Sequence, residues 1–196
     1  MVCLFPIFAN ILNYKTKVFR KLKNSELKRA TLEEFKEKQK LPIIIVLDNV
    51  RSQHNIGSSF RTSDAFAIEK VYLCGICATP PSAEIRKAAL GAEESMDWQY
   101  FENTADAVVK LREDGYTIVS VEQTENSQML DKFTIVTGNK YAFIFGNEVK
   151  GVAQDIVNMS DAILEIPQYG TKHSLNISVS VGVVLWEITK QIDRSF

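Results

Sequence analysis

Ile43-Ile44-Ile45-Val46-Leu47 is an unbroken apolar run in which four of five residues are β-branched. A run this short and this uniformly apolar suits a parallel strand covered by helices on both faces. Similar runs recur down the chain. Val71–Cys74, Trp98–Phe101, Tyr116–Val121, Tyr141–Phe145 and Ala162–Ile166 read as strands, the last closed by Pro167. Helical signals fall between them. Thr31 and Glu34 form a capping box for a helix to about Gln39, which Pro42 ends. Asp48–Gly57 reads as polar loop, Ser58–Phe66 as a short helix, and Pro80-Pro81-Ser82 starts a helix through Leu90 that Gly91 stops. Asn103 caps a helix carrying Ala107, Val108 and Leu111, closed by Gly115, and Val152–Met159 supplies another. Strands alternating with helices predict an α/β fold: a mostly parallel sheet with helices on both faces.

A chain of 196 residues favours one domain, and 45% hydrophobic residues provide for a core of normal size. The net charge of −1 conceals an asymmetry. Residues 1–40 hold ten Lys/Arg against four acids, a net of +6, which leaves −7 for the remainder. The expected division is a basic extension, 1–40, on an acidic body, 41–196. Lys15, Lys17, Arg20, Lys21, Lys23, Lys28 and Arg29 are its candidate contacts to a polyanion. A solvated charged helix face is the plainer reading. The apolar start MVCLFPIFANIL has no basic residues ahead of it and is broken by Pro6. It is shorter than the roughly 20 residues that cross a bilayer. It reads as a docked or loosely ordered tail, with no membrane association and a cytoplasmic location expected.

Three cysteines, Cys3, Cys74 and Cys77, make no disulfide framework. Cys74-Gly-Ile-Cys77 has redox spacing, but it ends an apparent strand instead of opening a helix, and no second pair completes a zinc site. Structural burial is the expectation, with a redox protein as the competing reading. His54 and His173 are too few for a zinc site, so no metal is expected and both are assigned to loop or polyanion-contact roles.

In sheets of this kind ligands bind outside the carboxyl ends of the strands. Three polar strings occupy that position: DNVRSQHNIGSSFR (48–61), GNEVKG (146–151) and QYGTKHSLN (168–176). The third runs into Ile177-Ser-Val-Ser-Val-Gly-Val183, whose period-two alternation is that of a half-buried strand.

The three strings, in this order, resemble the motifs of the SpoU (TrmH-like) branch of the SPOUT RNA methyltransferases. Asn49, Asn55-Ile-Gly57 and Arg61 match the first motif, FIFGNEVKG (143–151) the second and IPQYGTKHSLNISVSVG (166–182) the third. The likeness covers about residues 43–190. It implies a C-terminal deep trefoil knot, a homodimer, and S-adenosylmethionine (AdoMet) as cofactor. The implied reaction is methyl transfer to a ribose 2′-hydroxyl of structured RNA, tRNA or rRNA. The short basic arm, in place of a larger separate substrate-binding domain, tips the choice towards tRNA. A non-catalytic RNA-binding protein that keeps the knot is the alternative.

The resemblance also assigns roles. It makes Ser174 onward a helix against local propensity, with Ser174, Ser178 and Gly182 as a ridge of small residues. Arg61 would hold and polarise the 2′-hydroxyl and an adjacent phosphate, with phosphate or water taking the proton. Direct abstraction by a perturbed Arg61 is the other possibility. Asn55 would order its loop and contact RNA or Arg61. Glu148 would orient Arg61 or the ribose, and Ser174 and Asn176 would bind the cofactor or the ribose. Gly146, Ile166 and Leu175 match positions that touch AdoMet, with Val121 and Glu122 as further cofactor candidates.

Overall fold

A computed structural model describes residues 19–192. The apolar start with Cys3, and the arm residues Lys15 and Lys17, lie outside the described residues. The described chain runs α1 (Leu32–Glu37), β1 (Leu41–Asp48), α2 (Gln53–Phe66), β2 (Ile68–Cys74), α3 (Ala83–Ala89), α4 (Ala92–Ser95) and β3 (Asp97–Phe101). It continues with α5 (Thr104–Glu113), β4 (Tyr116–Val121), β5 (Gln128–Met129), β6 (Lys140–Phe145), α6 (Gln154–Met159), β7 (Ala162–Glu165) and α7 (Ile177–Lys190).

The strands form one sheet in the order β3-β2-β1-β6-β4-β7-β5, and every recorded pairing is parallel. The first three strands build outward from β1. The chain then crosses to lay down β4, and β6 returns to fill the slot between β1 and β4. That reversal of direction at β1 and β6 opens a crevice at their carboxyl ends.

Alternate residues of the central strands feed two cores. Ile43, Ile45, Leu47, Phe143 and Phe145 pack with Ile56 and Phe60 of α2, Ile85 of α3, and Val181, Leu185 and Ile188 of α7. Ile44, Val46, Ala142 and Ile144 pack with Val108 and Leu111 of α5 and Ile156 of α6. Residues 43–47 are nearly inaccessible on both faces, as an all-apolar central strand requires.

The structure moves several expected boundaries. Pro42 lies inside β1, where a central strand ordinarily excludes proline. It is tolerated because the register with β2 is irregular between Leu41 and Ile44, and recorded pairing with β6 starts only at Ile43. α1 stops at Glu37, although its Thr31–Glu34 capping box forms as expected. α2 begins at Gln53 instead of Ser58, α6 at Gln154 instead of Val152, and α7 at Ile177 instead of Ser174. Ser174 therefore lies outside the helix, and the small ridge reduces to Ser178 and Gly182. Helix α4 and the two-residue β5 were not anticipated.

Candidate active site

The carboxyl ends of β4, β6 and β7 border a cavity of about 480 Å3. It is lined by Val121–Gln123, Phe145–Gly151, Leu164–Ile166 with Gln168, and His173–Ile177 with Ser180. Of the cofactor residues expected from sequence, Gly146, Ile166, Leu175, Ser174, Val121 and Glu122 all line it. Gln123, Gln168 and Ser180 do so as well and were not foreseen. Gln123 lies two residues past the carboxyl end of β4, and that position was the available signal.

One hydrogen-bonded chain ties the three polar strings together beside this cavity. Glu148 Oε2 accepts from the backbone N–H of Arg51 (3.1 Å), and Oε1 accepts from the N–H of Ser52 (3.0 Å) and from Asn55 Nδ2 (3.1 Å). Asn176 Nδ2 donates to Asn55 Oδ1 at 3.1 Å. Asn176 is also the N-cap of α7, where its Oδ1 accepts from Ser178 N–H at 2.9 Å. Residues separated by as many as 121 positions thus meet at the N-termini of two helices. Burial pushes the Glu148 carboxyl upward, but hydrogen bonds from the N–H groups of Glu148, Arg51 and Ser52 and from Asn55 outweigh it. Its pKa is held below the ordinary glutamate value, so it is a fixed anion at neutral pH. An anion beside the first turn of α2 also complements the helix dipole.

The loop after β6 is braced from below. Asn147 and Gly151 exchange backbone hydrogen bonds at 3.0 and 2.9 Å. A Cβ on Gly146 would stand 2.0 Å from Gly151 C and Val152 N, so the strand can meet the returning loop only through glycine. Glu122 accepts the N–H of Val152 at 2.9 Å. Its side chain therefore braces the cavity wall, whatever else it does at the site. Buried Asp48 accepts from Asn49 Nδ2, Thr104 Oγ1 and Ala153 N–H, and so joins the end of β1 to the start of α6.

Arg61 is not part of this chain. It lies exposed on α2 and makes no hydrogen bond or ion pair among the described residues. Of the paired expectations, the contacts of Glu148 and Asn55 with Arg61 are not formed: Glu148 bonds Arg51 N–H, Ser52 N–H and Asn55, and Asn55 bonds Glu148 and Asn176. Asn55 is also not a loop residue but sits in the first turn of α2, where Ser52 Oγ accepts its N–H at 3.3 Å. The spacing error follows from reading Asn and Gly as loop formers. Gly57 serves packing, since a Cβ there would stand 2.4 Å from the carbonyl oxygen of Ile85 on α3. Ser174 lines the cavity and makes no side-chain hydrogen bond among the described residues.

Other residues singled out earlier lie away from the chain. Cys74 and Cys77 are free and buried. Desolvation raises both thiols, that of Cys77 to about 11, so neither is a thiolate at neutral pH. The Cys77 thiol donates to Leu47 O and accepts from Val50 N–H, which pins the turn after β1. His54 pairs with Glu84 at 3.0 Å on the surface, whereas His173 lines the cavity rim. Arg20 is engaged by Glu26, while Lys21, Lys23, Lys28 and Arg29 are exposed. The described end of the arm enters β1 at its amino end, away from the cavity, where Lys40 Nζ sits over the Phe35 ring. No group of metal-ligating side chains occurs among the described residues, and no helix among them is long and apolar enough to cross a membrane.

The protein-family model "SpoU rRNA Methylase family" matches residues 42–186. A 23S rRNA (guanosine-2′-O-)-methyltransferase RlmB of Neisseria meningitidis is 30% identical over 76% of this chain and 59% of its own length. A tRNA (guanosine(18)-2′-O)-methyltransferase of Aquifex aeolicus is 33% identical over 85% of this chain and 77% of its own. The crystal structure of an AdoMet-bound rRNA methyltransferase from Sinorhizobium meliloti superposes with a TM-score of 0.71 at 26% identity, over 78% of this chain and 58% of that one. The chain thus spans somewhat over half the length of the meningococcal protein and about three quarters of the Aquifex protein.

Proposed function

The chain belongs to the SpoU rRNA methylase family, and from that premise we propose that it is an AdoMet-dependent methyltransferase acting on a ribose 2′-hydroxyl of tRNA or rRNA. The observation that carries the reading is the Glu148–Asn55–Asn176 chain, which joins three distant segments at the edge of a cavity of ligand size.

The cavity fits the cofactor in its chemistry. Ile166, Leu175 and Ile177 offer apolar surface, and Glu122 and Glu165 offer negative charge to a sulfonium and an ammonium group. Gly146 keeps the backbone close on one side. Bound AdoMet supplies an electrophilic methyl group on sulfur. A 2′-hydroxyl is a weak nucleophile, so this chain must orient it and help its proton leave. Asn176 and Ser174, at the entrance to α7, are placed to bind the ribose or the cofactor carboxylate. Glu148 and Asn55 hold that entrance against α2. The Arg61 guanidinium is uncommitted among the described residues, which suits it to grip the hydroxyl and a neighbouring phosphate when RNA arrives, with phosphate or water accepting the proton.

The proposal extends to the molecule around the site. The exposed arm residues supply salt-dependent phosphate contacts from the basic segment 1–40, with 41–196 as the methyltransferase domain. Leu175, Val179 and Trp186 expose apolar surface on and beside α7, and a homodimer packed through this face would cover it. The C-terminal passage through the cavity loops is taken to be knotted, as in the family, and the protein to work in the cytoplasm without a metal.

The test is transfer of labelled methyl from AdoMet to bulk tRNA and bulk rRNA, with Arg61→Ala beside the wild type. We expect label in one pool and a loss of roughly 100-fold or more in the variant. Wild-type protein that binds RNA yet labels neither pool would refute the enzyme and leave the non-catalytic RNA binder.

A further inference from the structure

A second cavity, of about 610 Å3, shares the loop residues Asn147, Val149, Lys150 and Gly151 with the first as a common wall. Its other walls include Asp48, Asn49, Arg51 and Ile76. The polar side chains of its floor are engaged within the protein. Asp48 accepts three hydrogen bonds. Asn49 Oδ1 accepts from Ile76 N–H, and Asn147 Oδ1 accepts from the N–H groups of Val149 and Lys150. Asn147 Nδ2 donates to Asn49 O at 2.8 Å.

What remains available is of two kinds. Ile76 and Val149 present apolar side chains that are 61% and 80% exposed. The Arg51 guanidinium and the Lys150 ammonium make no hydrogen bond or ion pair among the described residues. The turn that carries Ile76 is held by bonds from Gly75 N–H to Phe101 O and from Tyr100 Oη to Gly75 O, so the apolar patch is set before anything binds.

We propose that this cavity docks a nucleotide of the RNA next to the one that is methylated, its base against Ile76 and Val149 and its phosphate on Arg51. The inference rests on the RNA-methylating reading of the first cavity, whose wall it shares. Free cations beside apolar surface complement a phosphate carrying a flat base. With the floor's donors and acceptors occupied, the cavity has little to read on a base edge. The contact therefore fixes position and carries little sequence information.

Filter binding with bulk tRNA, and with short oligoadenylate and oligouridylate, tests this on Arg51→Gln and Ile76→Ser. Neither residue lines the cofactor cavity, and Arg51→Gln keeps the backbone N–H that Glu148 uses. We expect Arg51→Gln to weaken tRNA binding about 5- to 10-fold and to reduce the slope of log K against log salt by about 1. Ile76→Ser should cost roughly threefold with the slope unchanged. Both losses should be equal on the two oligonucleotides, and calorimetric affinity for AdoMet should not change. Unaltered RNA affinity in Arg51→Gln overturns the proposal. A loss confined to one oligonucleotide, or a change of oligomeric state at constant RNA affinity, overturns it too. Methyl transfer that persists beside unaltered affinity would sink this inference alone. RNA binding that depends on Arg51 without any methyl transfer would sink only the proposed reaction.

Discussion

Asn176 does two things that a substitution can separate. It caps α7 through Oδ1 and reaches Asn55 through Nδ2. Asn176→Ala should lose both, with about 1 kcal/mol of stability lost through the cap alone. Asn176→Ser keeps a capping hydroxyl but no amide donor. Denaturant melts should find it close to wild type, while methyl transfer falls roughly 10- to 100-fold because the two helix entrances are no longer tied. Equal transfer by Ser174-intact Asn176→Ser and wild type would mean that the link to Asn55 is ornamental. Glu148 supplies a pH signature. Its folded pKa lies below the ordinary value, so its stabilising bonds are fully present above the unfolded pKa of about 4.3. They are lost as pH falls through the lower folded value. Urea melts of wild type and Glu148→Gln should therefore differ most near neutrality and converge in acid. A gap that widens in acid would show that the carboxylate is not held as an anion.

The elements differ in how plainly the chain announces them. β1 and β6 are apolar on both faces and could be read directly, as could α5 from the spacing of Ala107, Val108 and Leu111. The start of α2 is masked in the sequence because its first five residues include Asn55 and Gly57, which look like loop. Its real start is set by Ser52 Oγ and by Glu148, a residue 96 positions away that no local window contains. α7 is the reverse case. The Ile177–Val183 alternation favours strand, yet Ile177, Val181, Val184, Leu185 and Ile188 bury one helical face against the sheet and α2. Tertiary burial overrides β-branched propensity there. Family resemblance, not periodicity, signalled this helix, and it placed the start three residues early. The contact between α2 and α3 yields a prediction of its own. Gly57→Ala puts a methyl group against Ile85 O and Ala88 Cβ. Thermal or denaturant unfolding should register a loss of about 1–3 kcal/mol, and a neutral result would mean that the helices are free to separate.

At the scale of the molecule, the sequence named residues from three distant segments but could not say which of them touch. Asn55, Glu148 and Asn176 do, whereas Arg61 stands apart on the outer surface of α2. That separation arises because Arg61 is six residues, and more than a full helical turn, beyond Asn55 on a helix that begins earlier than its composition suggests. The exposed apolar face of α7 belongs to the same scale. Val179→Asp with Trp186→Asp should shift the protein to monomer in analytical ultracentrifugation, since two carboxylates would have to be buried in the proposed dimer. An unchanged sedimentation coefficient would place any self-association elsewhere.

The activity proposed for the cavity at the ends of β4, β6 and β7 is delivery of a methyl group to a sugar oxygen. Mass spectrometry of nucleosides released from RNA incubated with the protein and methyl-deuterated AdoMet reads this directly. Deuterated methyl is expected on ribose, as a 2′-O-methylnucleoside, and none on a base. Label found on a nucleobase, or unmodified RNA in both the tRNA and rRNA pools, would contradict it.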